Sequence, residues 1–218
     1  FENEAAFEAA LIDLLTEKYG WEPEILRYKT EEDLIQNWRQ ILFENNRDID
    51  RLNDTPLTDG ETRQILDQIA RLRTPLKLNG LINGQTVAVK RDNPADTLHF
   101  GKEVSLKIYD QREIAAGQSR YQIAQQPVIK ATSAVLPNRR GDFMLLINGM
   151  PLIHCELKRS GVDVSQAFHQ IEKYAHEGVF SGLFSLVQIF IAMHPNESVY
   201  FANPGPDGFF NKDFYFHW

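Results

Sequence analysis

Two apolar runs, residues 142–147 and 152–157, are joined by Asn148-Gly149-Met150-Pro151. Asn-Gly readily adopts the two successive positive-φ positions of a tight hairpin turn. The segment therefore reads as an antiparallel β-hairpin. In such a pair, residues that face each other have position numbers of constant sum. A turn centred on Asn148-Gly149 places Asp142 opposite Cys155 or Glu156. Side chains alternate along a strand, so Glu156 and Lys158 share one face and Cys155 points to the other. The open end of the hairpin then gathers two carboxylates and an ammonium inside otherwise apolar strands.

The flanking sequence supplies elements that can cover such a sheet. Residues 4–19 have a helical stripe of Phe7, Leu11, Leu14, Leu15 and Tyr19, stopped by Gly20. Residues 31–45 form a second helix, with Leu34, Trp38, Ile41 and Leu42 on one face. A third covers 58–72, where Thr58 and Glu61 make a capping box and Pro75 ends the segment. Short β-rich runs follow at 86–90, 104–109, 121–124 and 128–135, read as a meander punctuated by Gly, Asn and Pro. After the hairpin, residues 163–177 read as a helix that buries Val164, Phe168, Ile171 and Ala175, and one or more apolar strands cover 186–202. This order predicts a mixed α/β (α+β) fold, a central sheet flanked by helices.

Composition narrows the class. Apolar residues make up 43% and charged residues 24%, which suits a water-soluble globular chain. There is no secretory signal pattern, and the greasiest stretch, 179–193, is too short and too polar to span a bilayer. A single cysteine rules out an internal disulfide and points to a reducing, cytoplasmic setting. The net charge of -7 argues against a dedicated nucleic-acid coat. Even so, Lys130, Arg139, Arg140, Lys158, Arg159 and Lys173 gather near the hairpin in sequence. The chain begins at Phe1 without a methionine and ends on an aromatic run at Trp218, as expected of a piece of a longer polypeptide.

Partly buried charges must be paired or bound to something. Two convergent carboxylates suit a hard divalent cation such as Mg²⁺, which takes one or two carboxylates plus water and substrate phosphate. Lys158 could then position or deprotonate a water, or offset phosphate charge. The alternative is a plain ion pair at a strand end. Other chemistries are less well supported. The histidines at 99, 154, 169, 176, 194 and 217 lack zinc-like spacing, and His154 reads as a lining residue. No phosphate-binding glycine loop is present, so no ATP site is expected here.

The run from Arg140 to Lys158 resembles the core of PD-(D/E)xK nucleases. More narrowly, it resembles the N-terminal nuclease domain of the restriction subunit of type I restriction-modification enzymes. Gln170 to Tyr174 matches that family's Gln-x-x-x-Tyr element, and Glu8 matches the glutamate of its early helix. One departure is Gly141, which stands where the superfamily name has proline. The resemblance implies a restriction-endonuclease-like core over 1–218, with a helical and β appendage at about 28–100. It also implies Asp142, Glu156 and Glu8 as metal contacts, with the Leu157 carbonyl as a further ligand. Lys158, Gln170 and Tyr174 would complete the catalytic set. The expected activity is Mg²⁺-dependent hydrolysis of double-stranded DNA, with Mn²⁺ able to substitute. ATP would be needed only by a motor region outside this sequence. The implied partners are methylation and specificity subunits, and no membrane. A non-catalytic docking module with a nuclease-like fold and a motor-less nuclease of the same superfamily are the competing readings.

Overall fold

The structure is a computed structural model, which describes residues 1–72, 74–82, 86–108, 119–130 and 138–218. Tyr109 and residues 131–135, assigned to strands from sequence, lie outside the described residues. Five α-helices are described: α1 (Glu4–Lys18), α2 (Glu31–Asn45), α3 (Asp59–Arg71), α4 (Pro75–Ile82) and α5 (Ser165–His176). The longer strands are β2 (Thr86–Lys90), β3 (Glu103–Lys107), β4 (Tyr121–Gln125), β7 (Phe143–Ile147), β8 (Met150–Leu157), β9 (Ile189–His194) and β10 (Glu197–Ala202). Two-residue strands β1 (Leu26–Arg27), β5 (Val128–Ile129), β6 (Arg139–Arg140) and β11 (Phe216–His217) complete the set.

A seven-stranded sheet of order β1-β4-β7-β8-β9-β10-β11 forms the centre. It is mixed: β1/β4 and β8/β9 are parallel, and the other neighbours are antiparallel. The parallel β8/β9 pair needs a crossover, which α5 provides. This is the expected mixed α/β architecture of a restriction-endonuclease-like core. The meander reading is corrected in part. Among the described residues β2 and β3 pair with each other as a separate ribbon, and β4 pairs directly with β7.

Local chemistry explains the boundaries. Thr58 and Glu61 cap α3 reciprocally, as the sequence predicts, and Thr30 with Asp33 does the same for α2. Helix α3 ends before Pro75, as predicted, and Pro75 then opens α4, which the sequence did not show, because proline lacks only an N–H that a first helical turn leaves unused. Helix α1 buries Phe7, Glu8 and Ile12, whereas Leu14 and Tyr19 are exposed, so its inner face is rotated from the predicted stripe.

Three hydrophobic clusters hold the layers together. Helix α1 covers one side of the sheet through Phe7 and Ile12 on Ile123, Phe143, Leu145, Cys155 and Leu157. Helix α5 packs Ala167, Phe168 and Ile171 against Phe190, Val199 and Phe201. Helices α2, α3 and α4 and the β2–β3 ribbon share a third cluster with Met144, Leu146 and Met150 of the hairpin. The turn itself has Asn148 at φ 50° and Gly149 at φ 81°, the left-handed pair that a tight hairpin turn requires. A Cβ on Gly149 would lie 2.9 Å from Trp38 Cα, so this glycine also lets α2 press onto the hairpin tip.

Candidate active site

The hairpin register fixes which acids meet. Leu146 faces Pro151, but Leu145 faces Ile153, so Leu152 is the extra residue of a β-bulge. Beyond the bulge Met144 faces His154 and Phe143 faces Cys155. One further step along this register sets Asp142 opposite Glu156. Of the two partners the sequence allowed, the bulge selects the glutamate.

Asp142 stands just before β7. Its Oδ2 accepts a 2.6 Å hydrogen bond from the Leu157 N–H, and its carbonyl accepts one of 2.7 Å from Gln126 N–H. Glu156 is 1% exposed, inside a strand paired on both edges. Its Oε1 accepts from the Gln170 side-chain amide, and that amide also donates to Tyr174 Oη at 2.8 Å. The Tyr174 hydroxyl reaches the Arg140 carbonyl at 3.4 Å. The predicted helix pair therefore braces the glutamate. Lys158 Nζ donates to the Leu157 carbonyl at 2.8 Å and lies 3.9 Å from both Glu156 Oε1 and Glu4 Oε1.

Glu8 is 3% exposed and accepts a hydrogen bond from the Gln125 side-chain amide. Its charge is felt at both Asp142 and Glu156, but its described contact is Gln125. Glu4 and Gln125 were not singled out from sequence. Nothing in a helix or strand pattern marks either residue. Of the basic residues grouped by sequence, Arg139 is held by a two-point ion pair with Glu177, and Arg140 lies over the Tyr28 ring.

The electrostatics follow from this crowding. Burial pushes the Asp142 carboxyl up to about 7, helped by the charge of Glu156 and opposed by the Leu157 N–H and Lys158. Burial likewise lifts Glu156 to about 8, against the pull of Lys158 and Gln170, with Glu4 and Glu8 adding repulsion. Burial holds His154 down to about 4, so its ring is neutral near pH 7. It also raises the Cys155 thiol well above its ordinary value, which leaves no nucleophilic thiolate. Among the described residues, four acids thus crowd around the Lys158 ammonium, and ionising both inner carboxylates needs more positive charge than Lys158 provides.

Glu156 Oε2 has no hydrogen-bond partner although it is buried. A buried carboxylate oxygen in that condition fits a cation contact. Among the described residues no group of three or more His, Cys, Asp or Glu side chains is arranged to hold a metal. A closed zinc-type cage is thereby excluded among them, and the donor set that remains is two carboxylates and a carbonyl. That set fits Mg²⁺, which keeps several waters. A hollow of about 290 Å³ lies elsewhere, lined by Ile69, Leu72, Pro75, Leu78 and Phe180 among others. None of its lining residues is titratable, so it offers no comparable chemistry.

The chain matches the family model described as type I restriction enzyme R protein N terminus over residues 1–209. A type I restriction enzyme endonuclease subunit of Staphylococcus saprophyticus is 32% identical over the whole chain, and one of Staphylococcus aureus is 30% identical over the same span. The chain spans 21% of the length of each. An endonuclease subunit of Escherichia coli is 31% identical over 120 residues, covering 54% of this chain and 36% of that protein. No described helix is long and apolar enough to cross a membrane. With a match that runs from the first residue through the hairpin and beyond β10, the chain belongs to the family of type I restriction enzyme R protein N-terminal regions.

Proposed function

We propose that this chain is the metal-dependent endonuclease module of a type I restriction subunit, hydrolysing phosphodiester bonds of double-stranded DNA. The observation that carries the reading is the pair of carboxylates at the open end of the hairpin, Glu156 buried and Asp142 half-buried. One oxygen of Glu156 is left without a partner, and Lys158 lies alongside. Such a site is unfavourable for stability alone. Asp142 and Glu156 would hold Mg²⁺, or Mn²⁺ in its place, with the Leu157 carbonyl as a third donor once Lys158 releases it. Bound there, the ion would lower the pKa of a water and stabilise charge on the phosphate.

The side chains divide the remaining work. Gln170 fixes one oxygen of Glu156, and Tyr174 fixes Gln170, so the carboxylate stays oriented without a flexible stem. The Leu157 N–H holds one oxygen of Asp142. Lys158 Nζ is positioned to guide the attacking water or neutralise a phosphate oxygen. Glu8 and Glu4 act from α1 as outer acids that raise the cation affinity of the pocket. The remaining length of the relatives leaves room for an ATP-driven motor. Methylation and specificity subunits are the proposed partners, in the cytoplasm.

Calorimetric titration with Mn²⁺ tests the reading on this chain and on Asp142→Ala. One binding event is expected in the parent and none in the variant. Equal binding by both would move the ion away from these carboxylates and end the assignment.

A further inference from the structure

His154 presents a chemical problem that the nuclease reading does not use. It is fully buried in β8, two residues before Glu156 and on the same face. Neither ring nitrogen has a hydrogen-bond partner. Phe180 and Phe190 meet the ring edge-on, with centroids at 5.2 and 6.2 Å. An imidazole in such a place loses its hydration on both nitrogens and gains nothing polar in return. A phenylalanine would fill the space without that loss.

Glu156 brings a polar atom within reach of the ring. Nε2 lies 3.3 Å from Glu156 Oε2, and that oxygen is itself unpartnered. Two buried orphans this close need only a small ring rotation to satisfy each other. The other oxygen of Glu156 is already held by Gln170. A second observation ties the ring to its place. A Cβ on residue 141 would lie 2.6 Å from His154 Cε1, nearer than packed carbon atoms approach. Gly141, the departure noted in the sequence, is the vacancy into which the imidazole fits. Proline or alanine there would drive the ring away from its present position.

We infer that His154 is a positioning residue, donating from Nε2–H to Glu156 Oε2 and so fixing both oxygens of the metal-facing carboxylate between Gln170 and an imidazole. Gly141 is the partner position that makes this possible. The inference rests on the metal-site reading above. Each carboxylate oxygen has two acceptor sites, so accepting from His154 leaves room for a cation on the same group. Partners that orient a metal-binding side chain in this way typically govern affinity by about 10–100-fold.

Mn²⁺ titration of the parent, His154→Phe and His154→Gln tests it, with the histidine tautomer of the parent read by ¹⁵N NMR. Glutamine places an amide N–H near the Nε2 position, whereas phenylalanine keeps the volume and removes the donor. The expected result is at least 10-fold weaker Mn²⁺ binding in His154→Phe at unchanged or higher Tm, and near-parental binding in His154→Gln. The expected tautomer of metal-free His154 carries its proton on Nε2. Parental affinity in His154→Phe, or equal loss in both variants, overturns the positioning role while leaving the carboxylate site standing. A tautomer protonated on Nδ1 overturns it even if neither variant folds. No Mn²⁺ binding by the parent removes the metal-site reading, and this inference with it.

Discussion

Replacing Asp142 with asparagine should make the metal-free protein more stable, and only above mildly acidic pH. Asparagine keeps an oxygen for the Leu157 N–H but carries no charge. In the parent, burial and Glu156 lift the Asp142 carboxyl from 3.8 to about 7. The folded state therefore keeps its proton to higher pH than the unfolded chain does. The unfolded state releases that proton first, so stability is full below about pH 4 and falls as pH rises to about 7. A shift of roughly 3 units at about 1.4 kcal/mol each sets a ceiling near 4 kcal/mol. Relaxation and water entry in a site of this kind reduce it to about 1–3 kcal/mol. For a domain of this size that corresponds to roughly 2–10 °C in Tm. His154 has the opposite slope, because its folded value is depressed and its protonation favours unfolding as pH falls. The Asp142 charge pulls that value up a little, so the comparison is made above about pH 5, where the buried ring is neutral in both proteins. Scanning calorimetry in EDTA from about pH 5 to 8 should show the two melting curves closest together at the acid end. By pH 8 the variant should melt higher. Excess Mn²⁺ should close or reverse the gap, since an ion bound to the folded state stabilises it by mass action. Parallel curves across the whole range would mean that Asp142 ionises freely, and the argument for a charge-hungry site would fail.

If Lys158 serves the water and not the ion, as proposed, Lys158→Met should lower plasmid cleavage by about 10²–10⁴-fold while leaving Mn²⁺ affinity within a few-fold. Loss of ion binding instead would make it part of the cation site. Arg91 is fully buried, bonded to Glu61 at 2.6 Å, Asp96 at 3.0 Å and the Thr55 carbonyl at 3.0 Å. Arg91→Met would strand two buried carboxylates, and urea unfolding should register a loss of about 3–5 kcal/mol. Gly149→Ala would force a side chain at φ 81° against Trp38, costing about 1–3 kcal/mol by the same assay. A neutral outcome would show that α2 can withdraw from the hairpin tip.

The hairpin was legible because Asn148-Gly149 is a backbone statement as much as a side-chain one. Few residue pairs accept two left-handed positions in succession, so turn and strand pairing followed directly. The helix that carries Gln170 and Tyr174 was legible for a similar reason, since apolar positions at helical spacing left those two on a shared face. The bulge at Leu152 was not, because an extra residue in an apolar strand leaves no compositional trace. Helix α4 was hidden by Pro75, which ends one helix pattern and can begin another. Strand β1, two residues long, exists through pairing with β4 and has no periodicity to read. Glu4 came into the site through tertiary packing of α1, which no spacing rule reports.

The bulge in β8 has an arithmetical consequence. In an unbulged hairpin with this two-residue turn, every facing pair would join an odd position to an even one, as Leu146 with Pro151 does. The extra residue changes parity, so that even meets even, and Asp142 comes to share a face with Glu156 instead of Cys155. A single-residue insertion or deletion between the turn and the acids would restore the old parity and send one carboxylate into the apolar layer beneath α1. A change of two residues would keep both on the same side. Length variation in this stretch of related sequences should therefore come in steps of two, and an odd step should coincide with a retired site.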